Sequence, residues 1–265
     1  MSNIKISFCA PSIRPQLWKT FCDSLANTKV PWEAIFVGPL PPVEQLPSNF
    51  KWIKSNVKPS QCTHIAFMEA QGEFLALTAD DAQYFSPDRN SATDNMINFI
   101  ETFPYIDDYA QDMAFGYRMF EDSFCVETSL THKLNFVGNS TSPLLYPFFV
   151  VHKRTYLKLN GYDNRFVCGQ AENDFLLRVA FNCGHTASTL APKSMVWADH
   201  DAGHNNVSKF RQYHPYETDL LKQLWMNDNH FTQTRQSDLQ PYINDSSITL
   251  ISQGVMGEWT ENAKV

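Results

Sequence analysis

The sequence predicts an α/β protein: one domain with a mostly parallel central sheet flanked by helices. Apolar runs of strand length alternate with helical segments over most of the 265 residues, and this alternation is typical of βαβ units. No Pro-, Gly- or Ser-rich tract and no run of like charge interrupts the middle of the chain. We therefore predict no linker between separate domains.

The first part of the chain shows the β-loop-α pattern most clearly. Ile4 to Ala10 is a predicted strand, and a Pro-containing turn separates it from a predicted helix at about Gln16 to Ala26. Leu17, Phe21 and Leu25 recur every four residues in that helix, which gives it an apolar face. Further strands are predicted at 32–37, 50–53 and 74–78, with a helix at about 60–70.

The second part continues the alternation and then becomes polar. Strands are predicted within 113–126, at 148–151 and at 195–197, and helices at 87–103, 152–160, 173–182 and 216–225. Gly161 and Gly184 follow two of these helices, as is common at helix ends. Because periodicity ends near Gln233, we predict a domain over residues 1–232 and a loop-rich C-terminal extension over 233–265.

Composition excludes several classes of protein. A hydrophobic content of 43% with 18% charged residues is typical of a folded chain. The net charge of −7 does not favour a broad nucleic-acid surface. Six cysteines without a C-x-x-C pair predict reduced thiols and no cysteine zinc site. The absence of a secretory leader pattern and of an 18-residue apolar run predicts a cytoplasmic protein without a membrane span.

Two adjacent carboxylates, Asp80 and Asp81, follow the predicted strand at 74–78. In open α/β sheets, ligands collect at the carboxyl ends of the strands. Carboxylate oxygens suit Mg²⁺ or Mn²⁺, which bind one or two such groups together with phosphate oxygens. An ordinary helix cap or turn is the competing interpretation of the same two residues.

A second cluster lies at the start of the helix predicted near residue 173. Asp174 can pair with Arg178 four residues later, so a purely structural role explains it well. Glu172 has no such partner within the helix, and it is therefore the better candidate for a general base.

A third cluster follows the last predicted core strand, where His200 and His204 are four residues apart and two aspartates lie nearby. Imidazole and carboxylate groups at this spacing could complete a metal site. Solvated loop residues are the alternative.

In this order, the three clusters resemble those of nucleotide-sugar glycosyltransferases of the GT-A type, most of all the inverting family 2 and related galactosyltransferases. Ala70-Gln71-Gly72-Glu73 leading to Ala79-Asp80-Asp81 is similar to the family's A-x-G-E turn and D-x-D strand end. The segment 148–166 resembles its strand, helix and G-G-[FY]-D-E-x-F element. Glu172-Asn173-Asp174 with Arg178 resembles E-D-x-D-L-x-x-R. The resemblance implies a single GT-A (Rossmann-like) domain.

The resemblance also implies roles for particular residues. Glu172 matches the catalytic base and Asp174 the second acid. Asp81 would bind Mn²⁺ or Mg²⁺, with His200 or else His204 as a further ligand, while Asp80 would meet the ribose. Pro11, Ser12 and Arg14 match the loop that binds the nucleotide base. The chain departs from the family at Ala79, which replaces the first acid of D-x-D, and at Val37-Gly38-Pro39 and Cys62-Thr63-His64.

The implied activity is that of a hexosyl- or pentosyltransferase that uses a nucleotide-sugar, with UDP-sugar as the expected donor, and inverts the transferred centre. The expected acceptor is a glycan. The second choice is a hydroxymethylated pyrimidine in DNA, because small bacteriophage transferases also resemble this layout and would act in the host cytoplasm. Basic segments at 132–133, 152–154 and 209–214 could meet DNA phosphates. The alternative function is a non-catalytic nucleotide-sugar binding or assembly protein on the same fold.

Overall fold

The computed structural model describes residues 4–85, 94–98, 114–121, 124–125, 148–182, 190–198, 213–227, 230–231 and 239–242. Its strands are β1 (Ile6–Pro11), β2 (Trp32–Gly38), β3 (Phe50–Lys54), β4 (Phe74–Leu77), β5 (Ala82–Phe85), β6 (Ala114–Glu121), β7 (Phe124–Cys125), β8 (Phe149–His152), β9 (Leu190–Ala198), β10 (Met226–Asn227) and β11 (His230–Phe231). Its helices are α1 (Trp18–Ser24), α2 (Pro59–Glu69), α3 (94–98), α4 (Lys153–Lys158), α5 (Ala171–Asn182) and α6 (His214–Trp225).

A nine-stranded sheet forms the centre of the protein, in the order β3-β2-β1-β4-β8-β6-β9-β5, with β7 paired to β6. Strands β1 to β4 are mutually parallel, and β6 is parallel to β9. Strands β8 and β5 are antiparallel to their neighbours. The predicted α/β class with a mostly parallel sheet is confirmed, and the antiparallel strands make the sheet mixed.

Strands β1, β2 and β4 are buried on both faces, which explains why their sequences are nearly continuous apolar runs, whereas the edge strand β3 is partly exposed. Alternate residues point to opposite faces. Cys9, Ile35 and Leu75 belong to one core cluster, which also contains side chains of α2, α5 and α6. Phe8 and Phe36 belong to the other cluster, together with side chains of α1 and α3. The sheet therefore lies between two layers of helix.

A short polar network fixes the entry into β4. The Ser7 hydroxyl donates to Glu33 Oε1 at 2.6 Å and accepts the Gly72 N–H at 2.8 Å. The Gln71 N–H donates to the same Glu33 oxygen at 2.6 Å. Ser7 lies on β1 and Glu33 on β2, so the turn before β4 is bound to both neighbouring strands.

Several element boundaries differ from the predicted ones. The predicted helix at Gln16 to Ala26 is a 3₁₀ turn at Pro15–Leu17 followed by α1, because Pro15 occupies the first position of the turn. Helix α5 begins at Ala171, so Glu172 lies inside its first turn. Strand β5, immediately after Asp81, was not predicted.

Part of the predicted C-terminal extension contacts the domain. Pro241 forms an isolated bridge with Asp163, and the Asn164 N–H donates to the Gln240 carbonyl at 2.7 Å. The ring of Tyr242 lies 4.7 Å from the ring of His64. In the described portion of the chain, no helix is long and apolar enough to cross a membrane.

Candidate active site

Asp80 fastens the loop after β1 to the end of β4. Its Oδ2 accepts the backbone N–H groups of Ile13 at 2.7 Å and Arg14 at 2.8 Å. Its Oδ1 accepts Arg14 Nε at 2.8 Å and also Arg14 Nη2. The residue is 1% exposed. Because β1 and β4 are parallel neighbours, this contact lies at the carboxyl edge of the sheet, where the sequence predicts a site.

Arg14 also binds Asp81, since its Nη1 donates to Asp81 Oδ2. The guanidinium therefore bridges the two adjacent carboxylates. Burial works against the charge of Arg14, but Asp80 and Asp81 outweigh it and raise the pKa of Arg14 above its ordinary value. The guanidinium thus stays charged.

This arrangement does not fit a divalent cation on Asp81. Both oxygens of Asp80 and Oδ2 of Asp81 accept N–H groups from the loop after β1 (residues 12–14, the β1 loop). A cation would have to share these oxygens or displace the N–H groups. No cluster of three or more His, Cys, Asp and Glu side chains suitable for a metal occurs among the residues that the structure describes. His200 and His204, the other predicted ligands, lie outside those residues.

The β1 loop also approaches the end of β2 very closely. The Ser12 N–H donates to the Val37 carbonyl at 2.9 Å. A Cβ at position 38 would lie 1.8 Å from the Ser12 carbonyl oxygen, so only glycine fits there. Ser12 is fully buried, and its hydroxyl has no hydrogen-bond partner within the described part of the chain. The predicted donor residues thus lie at the end of β1 (Pro11) and in the tightly held loop that follows it (Ser12 and Arg14).

Glu172 lies partly buried in the first turn of α5. Burial, and after it the negative charge of Glu217, raise the pKa of Glu172 to about 7, although its own backbone N–H works in the opposite direction. A carboxylate with a pKa near neutrality is suited to accept a proton at physiological pH.

Glu217 is a residue of this site that the sequence did not indicate. It is fully buried on α6, and its Oε1 accepts the backbone N–H groups of Val167 at 2.7 Å and Cys168 at 2.8 Å. Its Oε2 accepts the Gly169 N–H at 3.1 Å. Because these contacts span 48 to 50 residues, no local pattern could reveal them.

The turn held by Glu217 lies at the same edge of the sheet as Asp80. Strand β3 is parallel to β2, and α2 begins shortly after the carboxyl end of β3. The Ser60 N–H in the first turn of α2 donates to the Val167 carbonyl at 3.1 Å. The turn that precedes Glu172 and the loop that contains Arg14 therefore belong to one edge.

Asp174 has the structural contacts that its spacing from Arg178 predicted. It is fully buried, and Oδ2 accepts Arg178 Nε at 2.9 Å. Its Oδ1 accepts Trp225 Nε1 at 2.9 Å, which connects α5 to α6. Arg178 in turn donates to the carbonyls of Leu159 and Gly161 after α4. These contacts give Asp174 a role in holding the helices that carry the site.

Three aromatic side chains of the segment 148–166, those of Phe148, Tyr162 and Phe166, belong to the core or pack against it. Tyr162 and Phe166 are 1% and 0% exposed, and Phe148 packs against both core clusters. His64 is also internal: its Nδ1 lies 2.7 Å from Tyr156 Oη, and burial lowers the pKa of His64 to about 4. These side chains therefore belong to the interior of the domain.

No protein-family model and no curated protein sequence matches the chain. Solved structures do match. TarS 1–349 from S. aureus is 15% identical, with a TM-score of 0.55 over 98% of this chain and 71% of that one. The same protein in complex with UDP gives 16% identity and a TM-score of 0.54 over 74% of this chain and 60% of that one. The complex with UDP-GlcNAc is 17% identical, with a TM-score of 0.54 over 76% of this chain and 60% of that one.

The match to TarS establishes the fold. TarS is a GT-A type glycosyltransferase structure, and this chain shares that architecture. The chain spans 60% of the length of the UDP-bound TarS chain. A Drosophila β1,4-galactosyltransferase 7 structure also matches, but its TM-score of 0.41 is too low to carry an argument.

Proposed function

We propose that the protein is a glycosyltransferase that moves a sugar from a UDP-sugar to an acceptor hydroxyl with inversion. The observation that carries the proposal is Glu172: a carboxylate with a pKa of about 7 in the first turn of a helix, at the sheet edge that also holds the Arg14 loop. The GT-A fold supports the reaction class. The UDP and UDP-GlcNAc complexes of TarS support uracil as the base of the donor.

The β1 loop is the proposed donor site. Asp80 and the close approach to Gly38 hold the loop rigid, so little ordering is needed when a nucleotide binds. Pro11 and Ser12 would contact the base. Both side-chain oxygens of Asp80 already accept hydrogen bonds from Ile13 and Arg14. Asp80 would therefore act at the ribose indirectly, by holding the loop after β1 in place.

Glu172 would act as the general base of the transfer. It takes the proton of the acceptor hydroxyl while that oxygen forms a bond to the anomeric carbon. The bond from this carbon to the diphosphate oxygen breaks on the opposite face, and UDP leaves with the electron pair. General base catalysis of this kind contributes about 10² to 10⁴ in rate. Asp174 would act on this step indirectly, by fixing the Arg178 side chain on α5 and by holding Trp225 of α6 against α5.

The proposed acceptor is a glycan hydroxyl, and the proposal covers both hexosyl and pentosyl transfer. The contacts of the basic segment at 152–154 do not favour a DNA acceptor. His152 lies 3.7 Å from Glu73, and Lys153 Nζ donates to the Ala70 carbonyl. Two of its three basic side chains therefore contact the domain itself.

A thermal-shift panel of UDP-, GDP- and dTDP-sugars, followed by a UDP-release assay with glycan acceptors, tests the proposal. A ligand at 100 times its Kd stabilises the native state by about 2.7 kcal/mol. We expect UDP-sugars to raise Tm more than the others and to be turned over. Stabilisation without turnover would favour the non-catalytic nucleotide-sugar binding protein. No stabilisation by any donor would contradict both functions.

A further inference from the structure

We propose that the guanidinium of Arg14, and not a divalent cation, supplies the positive charge that binds the donor diphosphate. The inference rests on the proposed function, and it replaces the metal expected on Asp81 with a side chain of the protein itself. Three features of the Arg14, Asp80 and Asp81 cluster carry it.

The first feature is that the carboxylates already have a cation. Arg14 donates to Asp80 through Nε and Nη2 and to Asp81 through Nη1. The side chains of Asp80 and Asp81 are only 2% and 6% exposed. A metal ion entering between them would leave a buried guanidinium without its partners, and uncompensated buried charges are strongly unfavourable.

The second feature is that the loop cannot easily withdraw Arg14. The backbone N–H groups of Ile13 and Arg14 both donate to Asp80 Oδ2, at 2.7 and 2.8 Å. The neighbouring Ser12 N–H donates to the Val37 carbonyl, and the absence of a side chain at Gly38 lets the loop pack directly against the end of β2. Moving Arg14 aside would therefore break backbone contacts as well as ion pairs.

The third feature is the set of donors that remain. A guanidinium has five N–H groups, and the contacts to Asp80 and Asp81 use three of them, one each from Nε, Nη1 and Nη2. One N–H on each terminal nitrogen therefore has no partner among the described residues. The side chain is 13% exposed, so the cluster is not sealed from solvent. These two N–H groups, one on Nη1 and one on Nη2, can each donate to a phosphate oxygen.

The sequence agrees with this inference. Ala79 stands where the family has the first acid of its metal-binding pair, so the chain lacks one expected ligand. Arg14, which is held by Asp80 and Asp81, places guanidinium N–H donors at the same place without a metal.

UDP binding in a chelator tests the inference on the full chain. We expect UDP to raise Tm equally in EDTA and in Mn²⁺, and we expect Arg14→Met to weaken UDP binding by about 10- to 100-fold, the loss expected for charge-assisted hydrogen bonds. Arg14→Lys keeps the charge but not the planar guanidinium, so its affinity for UDP should lie between those of the wild type and Arg14→Met. UDP binding that requires Mn²⁺ would overturn the inference but not the proposed function. No UDP binding in either condition would overturn both.

A second experiment covers the case in which Arg14→Met does not fold. Mn²⁺ is titrated into the protein without nucleotide, and the EPR signal measures the concentration of free Mn²⁺. We expect the wild-type protein and Asp81→Asn to give the same titration. Mn²⁺ binding by the wild type that Asp81→Asn abolishes would overturn the inference.

Discussion

Glu217 Oε1 and the backbone N–H of Val167 lie 2.7 Å apart, although the two residues are 50 positions apart in the chain. The contact binds the middle of the turn before α5 to α6. The same carboxylate raises the pKa of Glu172 through its negative charge. Glu217 is therefore a positioning residue that holds the proposed base and also influences its protonation.

The first prediction concerns the pH dependence of transfer. Because Glu172 must be ionised to accept a proton, kcat/KM should rise with pH through about 7. Glu217→Gln removes a neighbouring negative charge, which favours the ionised form of Glu172 and lowers its pKa. The acid limb of the profile should therefore move to lower pH. The Gln side-chain oxygen can still accept the N–H groups of Val167 and Cys168.

Asp219→Asn is the matched control, because Asp219 lies exposed on the same helix. It should leave the midpoint of the profile in place. Among the described residues, Tyr162 and Cys168 also interact electrostatically with Glu172, and burial raises the pKa of both above their ordinary values. If Glu217→Gln lowered the rate at every pH without moving the midpoint, its role would be structural only.

The second prediction concerns stability. The pKa of Glu172 is about 7 in the folded protein, against an ordinary value of 4.5, so the folded state retains a proton that the unfolded state releases between these pH values. The contribution of Glu172 to the free energy of unfolding is therefore favourable below pH 4.5 and is lost as pH rises through 7. Glu172→Gln should make the protein more stable relative to wild type at pH 8 than at pH 4. Urea unfolding at both pH values measures this, and an identical pH dependence of the two proteins would contradict the raised pKa.

The third prediction concerns Asp174. Asp174→Ala would remove the buried carboxylate to which Arg178 Nε and Trp225 Nε1 donate. The expected loss is about 3–5 kcal/mol in the free energy of unfolding, measured by urea denaturation. Asp23→Ala is the control, since Asp23 forms an exposed pair with Lys19 at the same i,i+4 spacing. Equal effects of the two changes would contradict the structural role of Asp174.

Features that depend on local periodicity could be predicted from the sequence. Strands β1, β2 and β4 were visible because burial on both faces produces continuous apolar runs. Asp80 and Asp81 could be placed at the carboxyl edge because they follow such a run directly. The Asp174 and Arg178 pair was predictable because it lies within one helix.

Features that depend on distant contacts were not predictable in this way. The clamp between Arg14 and Asp80 spans 66 residues, and that between Glu217 and Gly169 spans 48. Neither has a repeating pattern, because each is set by which strands and helices become neighbours after folding. The resemblance implied Asp81 as a metal ligand, and the contacts of Arg14 with both carboxylates were not indicated by any local pattern. Strand β5 was missed because it is four residues long and pairs with the distant β9.

The central claim, that Glu172 is the base of a sugar transfer, is tested most directly by comparing wild type with Glu172→Gln. UDP release from a UDP-sugar with a glycan acceptor should fall by about 10² to 10⁴ in the variant, while the Tm shift produced by UDP is unchanged. Glu69→Gln, at a partly exposed glutamate near the end of α2, is the control and should keep full activity. Equal turnover by wild type and Glu172→Gln would contradict the account.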